Sequence, residues 1–361
     1  MIPRARQLVA AALSSALLVL PAFTGIANAA PSSRVYAVPL ARTVADVQRV
    51  AEYWRPDRLQ RTDSYIPATP GAQSAPTSSA TAPGGPVAQT KRPALTHLPT
   101  PTMPRTGSMA RTTGKVFFTL GGKEFWCSAS SVAAQNRSVV ATAGHCVYDP
   151  RQAKAAENWV FVPNPGPDGQ TPDGIYVGAS ISMHEDWTGK GDYDYDYAFV
   201  TVHRGFVWTA KNNAWVMKDV GRLQDNAGGL GLELNNKQLT YQATALGYPA
   251  GPQPGNARPF DGKSLRMCVG TVTRWTAAPN LDLQKGVQLQ RCDFSPGASG
   301  GPWATGYDKN RALGNLTGVN SLTWDRDLNG WYDAVSSPYF DTTTGEVYQR
   351  AASQTTPSNV T

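Results

Sequence analysis

Ser295-Pro296-Gly297-Ala298-Ser299-Gly300-Gly301-Pro302-Trp303 sets one serine among three glycines. Glycine has no Cβ, so such a chain turns sharply and lets other atoms approach its backbone. A turn of this kind leaves N–H groups free to face a developing negative charge. Gly297 and Ser299 are the candidate donors of an oxyanion hole, where each such donor is worth roughly 2.7–4 kcal/mol. A serine between glycines is also an ordinary turn, so the stretch needs partners elsewhere in the chain.

Two other stretches supply them. Thr142-Ala143-Gly144-His145-Cys146 follows the apolar run Val139-Val140-Ala141, which puts a histidine just past a strand end. Histidine is the usual general base near neutral pH. Asp196-Tyr197-Ala198-Phe199-Val200 places an acid at the mouth of a second apolar strand, where a carboxylate can hold the imidazole in one tautomer. Asp192 and Asp194 are rivals, because acids and tyrosines alternate from Asp192 to Asp196 and a period of two would set all three acids on one face.

The chain order is histidine, aspartate, serine, which is the order of chymotrypsin-type enzymes and differs from the subtilisin and α/β-hydrolase orders. Together with Gly114-Lys115-Val116-Phe117-Phe118 and Cys127-Ser128-Ala129-Ser130, these motifs make the chain resemble a secreted bacterial trypsin-like serine peptidase near the glutamyl endopeptidase branch, from about Gly114 to Tyr348. The resemblance implies an all-β fold of two antiparallel β-barrels with the active site in the cleft between them. His145 and Asp196 would come from the first barrel and Ser299 from the second. Asp196 is preferred over Asp194 because it directly precedes the run that resembles the family's strand. The implied protein is a monomer that cleaves polypeptides without a cofactor.

Four cysteines in an exported chain point to two disulfides with three connectivities open. The resemblance pairs Cys127 with Cys146, leaving Cys268 with Cys292. No C-x-x-C pair suggests a metal site. Asp325-Arg326-Asp327-Leu328-Asn329-Gly330 resembles the start of a Ca²⁺ loop, but Ser336 stands where the bidentate glutamate belongs. A hairpin turn at Asn329-Gly330 is the preferred reading, and no metal is expected.

Specificity is less legible. Asp293 stands six residues before Ser299, where the resemblance to trypsin would put an acid for Arg or Lys side chains, yet Cys292 lies seven residues before the nucleophile instead of four. Asn320 occupies the approximate place of the histidine that glutamyl endopeptidases carry after the nucleophile. Ala298 replaces the aspartate that in many chymotrypsin-type enzymes pairs with a newly freed amine, so activation by that ion pair is not expected. His184 and His203 lack any such setting and are read as solvent-facing or locally hydrogen-bonded.

The N-terminal region reads as processing machinery. Arg4 and Arg6 precede the apolar stretch from Leu8 to Leu20, and Ala27-Asn28-Ala29 is a cleavage signal, so residues 1–29 are read as a secretory signal peptide. No later stretch is long and apolar enough for a membrane anchor. Val44, Val47, Val50, Ala51 and Trp54 recur at helical spacing in a helix over Thr43 to Arg55 that stops before Pro56. From Thr62 to Arg111 the composition turns to Pro, Thr, Ser, Ala and Gly, too poor in apolar residues to order itself. Residues 30–112 are read as a propeptide that inhibits by covering the cleft, with an uncleaved stalk as the alternative. Residues 113–361 are the peptidase domain, patterned in short apolar runs such as Val139 to Ala141, Trp159 to Val162, Tyr197 to Val202, Thr240 to Leu246, Val287 to Leu289 and Leu316 to Val319, with no long amphipathic helix.

The net charge of +7 raises the question of nucleic acid. Residues 1–115 hold 13 Lys/Arg against 4 Asp/Glu, and residues 116–361 hold 20 against 22, so the basic excess lies outside the peptidase domain and a nucleic-acid surface is not expected. Two rival functions stay open on the sequence alone. One is a peptidase-like binding module with its chemistry lost; the other is an esterase on the same site.

Overall fold

The structure is a computed structural model that describes residues 35–66, 97–212 and 214–357. The stretch read as a signal peptide and the centre of the Pro/Thr/Ser-rich tract, residues 67–96, lie outside the described residues.

Strands form where the sequence alternates or runs apolar between turn residues. In the first half these are β1 (Val35–Pro39), β2 (Asp63–Ser64), β3 (Thr113–Leu120), β4 (Lys123–Val132), β5 (Val139–Thr142), β6 (Glu157–Pro163), β7 (Tyr176–His184) and β8 (Ala198–Val202). β3, β4, β5, β8, β7 and β6 pair in that order, and β6 returns to β3, so six antiparallel strands close on themselves, and the edges left on β7 and β4 are taken by β1 and β2. The registers Val116↔Cys127, Val116↔Phe161 and Phe199↔Ala141 set Val116, Cys127, Phe161, Phe199 and Ala141 in one buried cluster. Period two puts Val116, Cys127 and Phe161 on the face that Val140 and Val200 continue, while Ala141 and Phe199 take the other face, where Phe199 packs edge-on against Tyr348.

The second half contributes β9 (Thr240–Gly247), β10 (Arg266–Ala278), β11 (Leu283–Gln290), β12 (Pro302–Asp308), β13 (Leu313–Val319), β14 (Leu322–Trp324) and β15 (Ala334–Ser337). Their sheet runs β13, β12, β9, β10, β11, β15, β14, with Gly231–Leu232 on the outer edge of β13. Val319 N–H donates to the Ser337 hydroxyl at 2.9 Å, which draws the end of β13 against β15. The sheet thereby wraps a core of Ala245, Val272, Leu289, Phe294 and Trp303. This is the expected architecture of two antiparallel β-structures side by side.

Two disulfides, Cys127–Cys146 and Cys268–Cys292, match the pairing implied by the resemblance. Closing loops of 19 and 24 residues, each stabilises the fold by about 3 kcal/mol in the chain-entropy account. The first ties β4 to the turn that carries His145. The second ties β10 to the approach to Ser299.

The N-terminal region is built onto the first barrel. β1 pairs antiparallel with β7, from Val35↔His184 to Pro39↔Ser180. Helix α1 (Val44–Tyr53) starts at Thr43, whose hydroxyl accepts from Asp46 N–H while Asp46 returns the bond to Thr43 N–H. It buries Val47, Val50 and Ala51 on the barrel, with Trp54 just beyond its end, and stops as expected before Pro56, which opens the short helix α2 (Pro56–Arg61).

The fold departs from the sequence-based expectations at three places. The ends of the tract from Thr62 to Arg111 are bound in place: β2 pairs with β4, Thr102 exchanges hydrogen bonds with Gly229, and Arg111 meets Asp173 at 2.7 Å. These ends are ordered by backbone pairing to the barrels and need no core of their own. An 11-residue helix, Thr342–Ala352, closes the described chain, capped by Asp341 and packed through Val347, Tyr348 and Ala351. Its threonine-rich start, with Gly345, hides the helical period. His184 and His203 are buried and not solvent-facing; His184 is hydrogen-bonded locally, as the alternative had it, through Asp186 N–H, while His203 bonds the distant Ala41 carbonyl.

Candidate active site

His145 sits in a short 3₁₀ turn, Gly144–Cys146, directly after β5. A Cβ at Gly144 would meet the Trp187 indole at 2.9 Å and Asp196 at 3.1 Å, so only glycine lets the turn come this close to the acid. Asp196 ends a 3₁₀ turn just before β8 and is fully buried. Its Oδ1 accepts His145 N–H at 2.8 Å, and its Oδ2 lies 2.8 Å from His145 Nδ1. The Ser321 hydroxyl donates to the same Oδ2 at 2.5 Å. An ionised carboxylate only accepts, so Nδ1 carries the proton and Nε2 presents a lone pair. His145 Nε2 is buried and has no hydrogen-bond partner among the described residues.

Asp194, the rival acid, faces elsewhere. Its Oδ1 accepts from Gln284 and Lys285 N–H of the second sheet, at 3.0 and 2.7 Å, and burial raises its pKa. Asp192 caps the turn at Asp194 N–H, and burial raises it to about 6.

The serine turn is made as its glycines require. Gly297 and Gly300 have φ of +102° and +79°, in the region that L side chains rarely enter. Ala298 N–H bonds Ser295 O, and Gly301 N–H bonds Ala298 O. A Cβ on Gly300 would fall 2.1 Å from Thr142 Oγ1 and 2.9 Å from Ala143 N. The residue after Ser299 therefore rests on the chain two or three residues before His145. Ser128 N–H donates to Ser299 O at 2.8 Å, fixing the turn from the first barrel. The Ser128 hydroxyl donates to Gly297 O at 2.8 Å and receives Tyr248 N–H at 2.9 Å. The N–H groups of Gly297 and Ser299 make no hydrogen bond to another described residue. The wall behind Gly297 is Trp126, over whose ring the Lys115 ammonium lies at 3.8 Å, with burial drawing that amine down to about 8.

The structure thus brings His145, Asp196 and the Ser299 turn to one place, while the Ser299 hydroxyl does not bond Nε2. Catalytic hydrogen bonds in unliganded sites are often longer than in the working complex. Asp293 is exposed, and its carbonyl accepts from Gln253. Asn320 is buried, with both amide hydrogens and its side-chain oxygen bonded inside the protein. Every polar atom of that side chain is thus engaged by the protein's own groups. At Asp325–Gly330 the chain turns between β14 and β15, which pair as a hairpin, and the Asp325 and Asp327 carboxylates accept backbone N–H groups of Asn329 and Gly330.

Two residues went unread in the sequence. Ser321 carried a signal only in following Asn320 at the end of β13. Tyr65 carried none: it lies in the polar tract, yet its ring stacks on His145 at 6.1 Å and 28° and packs edge-on against Phe125.

No protein-family model matches the chain, and no curated protein matches it in sequence. Among solved structures, the thermostable serine protease AL20 from an extremophilic microorganism is 28% identical with a TM-score of 0.54, over 68% of this chain and 99% of that one. Protease Anisep from Arthrobacter nicotinovorans is 29% identical with a TM-score of 0.54, over 70% of this chain and all of its own. In fold, the chain is a trypsin-like protein of the chymotrypsin type, similar to bacterial serine proteases.

Proposed function

We propose that this chain is a secreted serine endopeptidase, made as a precursor whose N-terminal region, residues 30–112, restrains it. One observation carries the catalytic reading: Asp196 holds both the N–H and Nδ1 of His145 at 2.8 Å, so that Nε2 is left as a base beside a serine turn with two unbonded N–H groups. His145 Nε2 takes the Ser299 hydroxyl proton as Oγ attacks the scissile carbonyl. The carbonyl oxygen becomes an oxyanion held by Gly297 and Ser299 N–H. The imidazolium, steadied by Asp196, returns the proton to the leaving amine, and an acyl-enzyme on Ser299 remains. Water, deprotonated by the same Nε2, releases the acid and restores the hydroxyl.

No cofactor enters this sequence of steps, and the substrate is polypeptide. The two disulfides and the leader sequence favour export; the proposed form is a monomer with no nucleic-acid partner, since the basic excess lies outside residues 116–361. Among the described residues no helix is long and apolar enough to cross a membrane. Labelling by a sulfonyl fluoride serine reagent, applied after residues 30–112 have been cleaved away, tests the reading: a binding module would leave Ser299 unmodified, and a chain that is labelled but turns over only small esters would be an esterase.

Restraint has its own support. Tyr65 N–H donates to Trp126 O at 2.9 Å, Asp63 and Ser64 pair in parallel with Phe125 and Trp126, and the Tyr65 ring helps leave His145 only 3% exposed. Burial, and then the nearby Asp149, pushes the Tyr65 phenol up to about 12, so it sits uncharged beside the catalytic pair. A substrate carbonyl cannot reach Nε2 until this segment leaves. Truncating a buried aromatic costs about 3–5 kcal/mol, and each 1.4 kcal/mol moves a population tenfold. Tyr65→Gly in the uncleaved chain is therefore expected to raise ester hydrolysis by on the order of 10²- to 10³-fold. An unchanged rate in the variant would separate Tyr65 from the restraint.

A further inference from the structure

Asn320 is 2% exposed and makes five hydrogen bonds around the nucleophile turn. Its Nδ2 donates to Ala298 O at 2.8 Å and Leu246 O at 2.9 Å, and its Oδ1 accepts from Trp303 Nε1 at 2.7 Å. On the main chain, Gly300 N–H donates to Asn320 O at 2.7 Å, and Asn320 N–H donates to Gly301 O at 2.8 Å. Space is reserved for this amide: a Cβ on Gly301 would lie 2.8 Å from Nδ2.

The consequence follows from peptide geometry. A trans peptide is planar, with its C=O and N–H pointing in opposite directions. Asn320 Nδ2 and Gly301 N–H together hold the Ala298 carbonyl on the inner side, so the N–H of the same peptide, that of Ser299, must point outward. That N–H is one of the two left unbonded. The second is set by the same logic: the Pro296 carbonyl accepts from Ala250 and Gly251 N–H at 2.9 and 2.8 Å, which turns Gly297 N–H the other way.

We propose, resting on the serine-peptidase reading, that Asn320 is a positioning residue whose side-chain amide orients the Ser299 N–H as an oxyanion donor without help from a freed N-terminal amine. The residue before the nucleophile is Ala298, which has no charge to pair with such an amine. The amide of Asn320 reaches the carbonyl of that same residue from just past the end of β13, the strand paired with β12. The next residue, Ser321, holds Asp196, so one dipeptide braces the nucleophile turn and the acid together.

The test uses the full chain, released from its own restraint by Tyr65→Gly, with and without Asn320→Leu or Asn320→Asp. Asp keeps the size of the side chain and the bond from Trp303 while removing both donors. Loss of one oriented oxyanion donor costs about 10²–10³ in kcat. Each folded variant is expected to lose about 10²-fold in kcat with KM little changed, and to bind a peptide aldehyde more weakly by a similar factor. A KM rise at constant kcat would make Asn320 a specificity residue and overturn the proposal, as would unchanged kinetics. Should neither variant fold, a crystal structure of the Tyr65→Gly chain with the aldehyde decides. The hemiacetal oxygen is expected on Gly297 and Ser299 N–H with Nδ2 still on Ala298 O, and an Asn320 amide turned away or onto the ligand would refute the assignment. Absence of sulfonyl fluoride labelling at Ser299 in the released Tyr65→Gly chain that keeps Asn320 would instead strike the peptidase reading itself.

Discussion

Ser299→Ala is expected to lower kcat by on the order of 10⁶ and to leave the fold unchanged. The Ser299 hydroxyl makes no hydrogen bond within the described protein, so removing it breaks no interior contact. What fixes the turn is backbone: Ser299 O on Ser128 N–H, Gly300 N–H on Asn320 O, and Gly301 N–H on Ala298 O. All three survive in alanine. Gly297 and Ser299 N–H also survive, so the residual activity is what oxyanion binding alone provides, roughly 10³–10⁴ over water. The loss is so large because the covalent step has no substitute: an alanine methyl has no lone pair with which to attack the carbonyl. Steady-state hydrolysis of a peptide or ester substrate, with the thermal midpoint as a control, reads the result. Activity within tenfold of the parent in a folded Ser299→Ala protein would remove Ser299 from the chemistry.

The parts of the site readable from sequence were those whose geometry is local. Gly144-His145-Cys146 after an apolar strand, and Gly297 to Gly301 around a serine, each need a backbone that only those residues adopt, so composition betrayed them. Asp196 was separable from Asp194 only by the strand that follows it, because strand-like spacing would have given both one face; the stretch is instead a 3₁₀ turn, which sends Asp194 to the second sheet and Asp196 to His145. Asn320 was noticed for its place after the nucleophile, but its partners Leu246, Ala298 and Trp303 are brought together by sheet pairing, which no local pattern records. Tyr65 was hidden for the same reason. A tract too polar to build a core can still lend one aromatic ring to a neighbouring one, and its β-pairing to Phe125 and Trp126 is set by the partner strand. The C-terminal helix was lost because Thr342 to Gly345 are poor helix formers, and its cap at Asp341 and its seat on the first barrel outweigh them.

Asp196→Asn is expected to cost about 10⁴ in kcat, against less than tenfold for Asp194→Asn. Asp196 is surrounded by donors: His145 N–H at Oδ1, and His145 Nδ1 with the Ser321 hydroxyl at Oδ2. An amide has one acceptor and one donor end. With its oxygen on His145 N–H, its NH₂ faces Nδ1, and the imidazole answers by moving its proton to Nε2, where it can no longer accept from Ser299. With the amide turned over, NH₂ meets His145 N–H, and the turn that carries the base is pushed out of place. Either orientation disables the base, although the serine and both oxyanion donors remain. Asp194 instead braces the two halves of the fold, since one oxygen receives Gln284 and Lys285 N–H from the second sheet, and an asparagine oxygen can receive them too. Its burial already favours the uncharged form, which an amide imitates. The pair of variants therefore separates catalysis from bracing within three residues of chain. Rates for both, measured beside Ser299→Ala on one substrate, check it. A larger loss for Asp194→Asn than for Asp196→Asn would mean that the imidazole turns to the other acid when substrate binds.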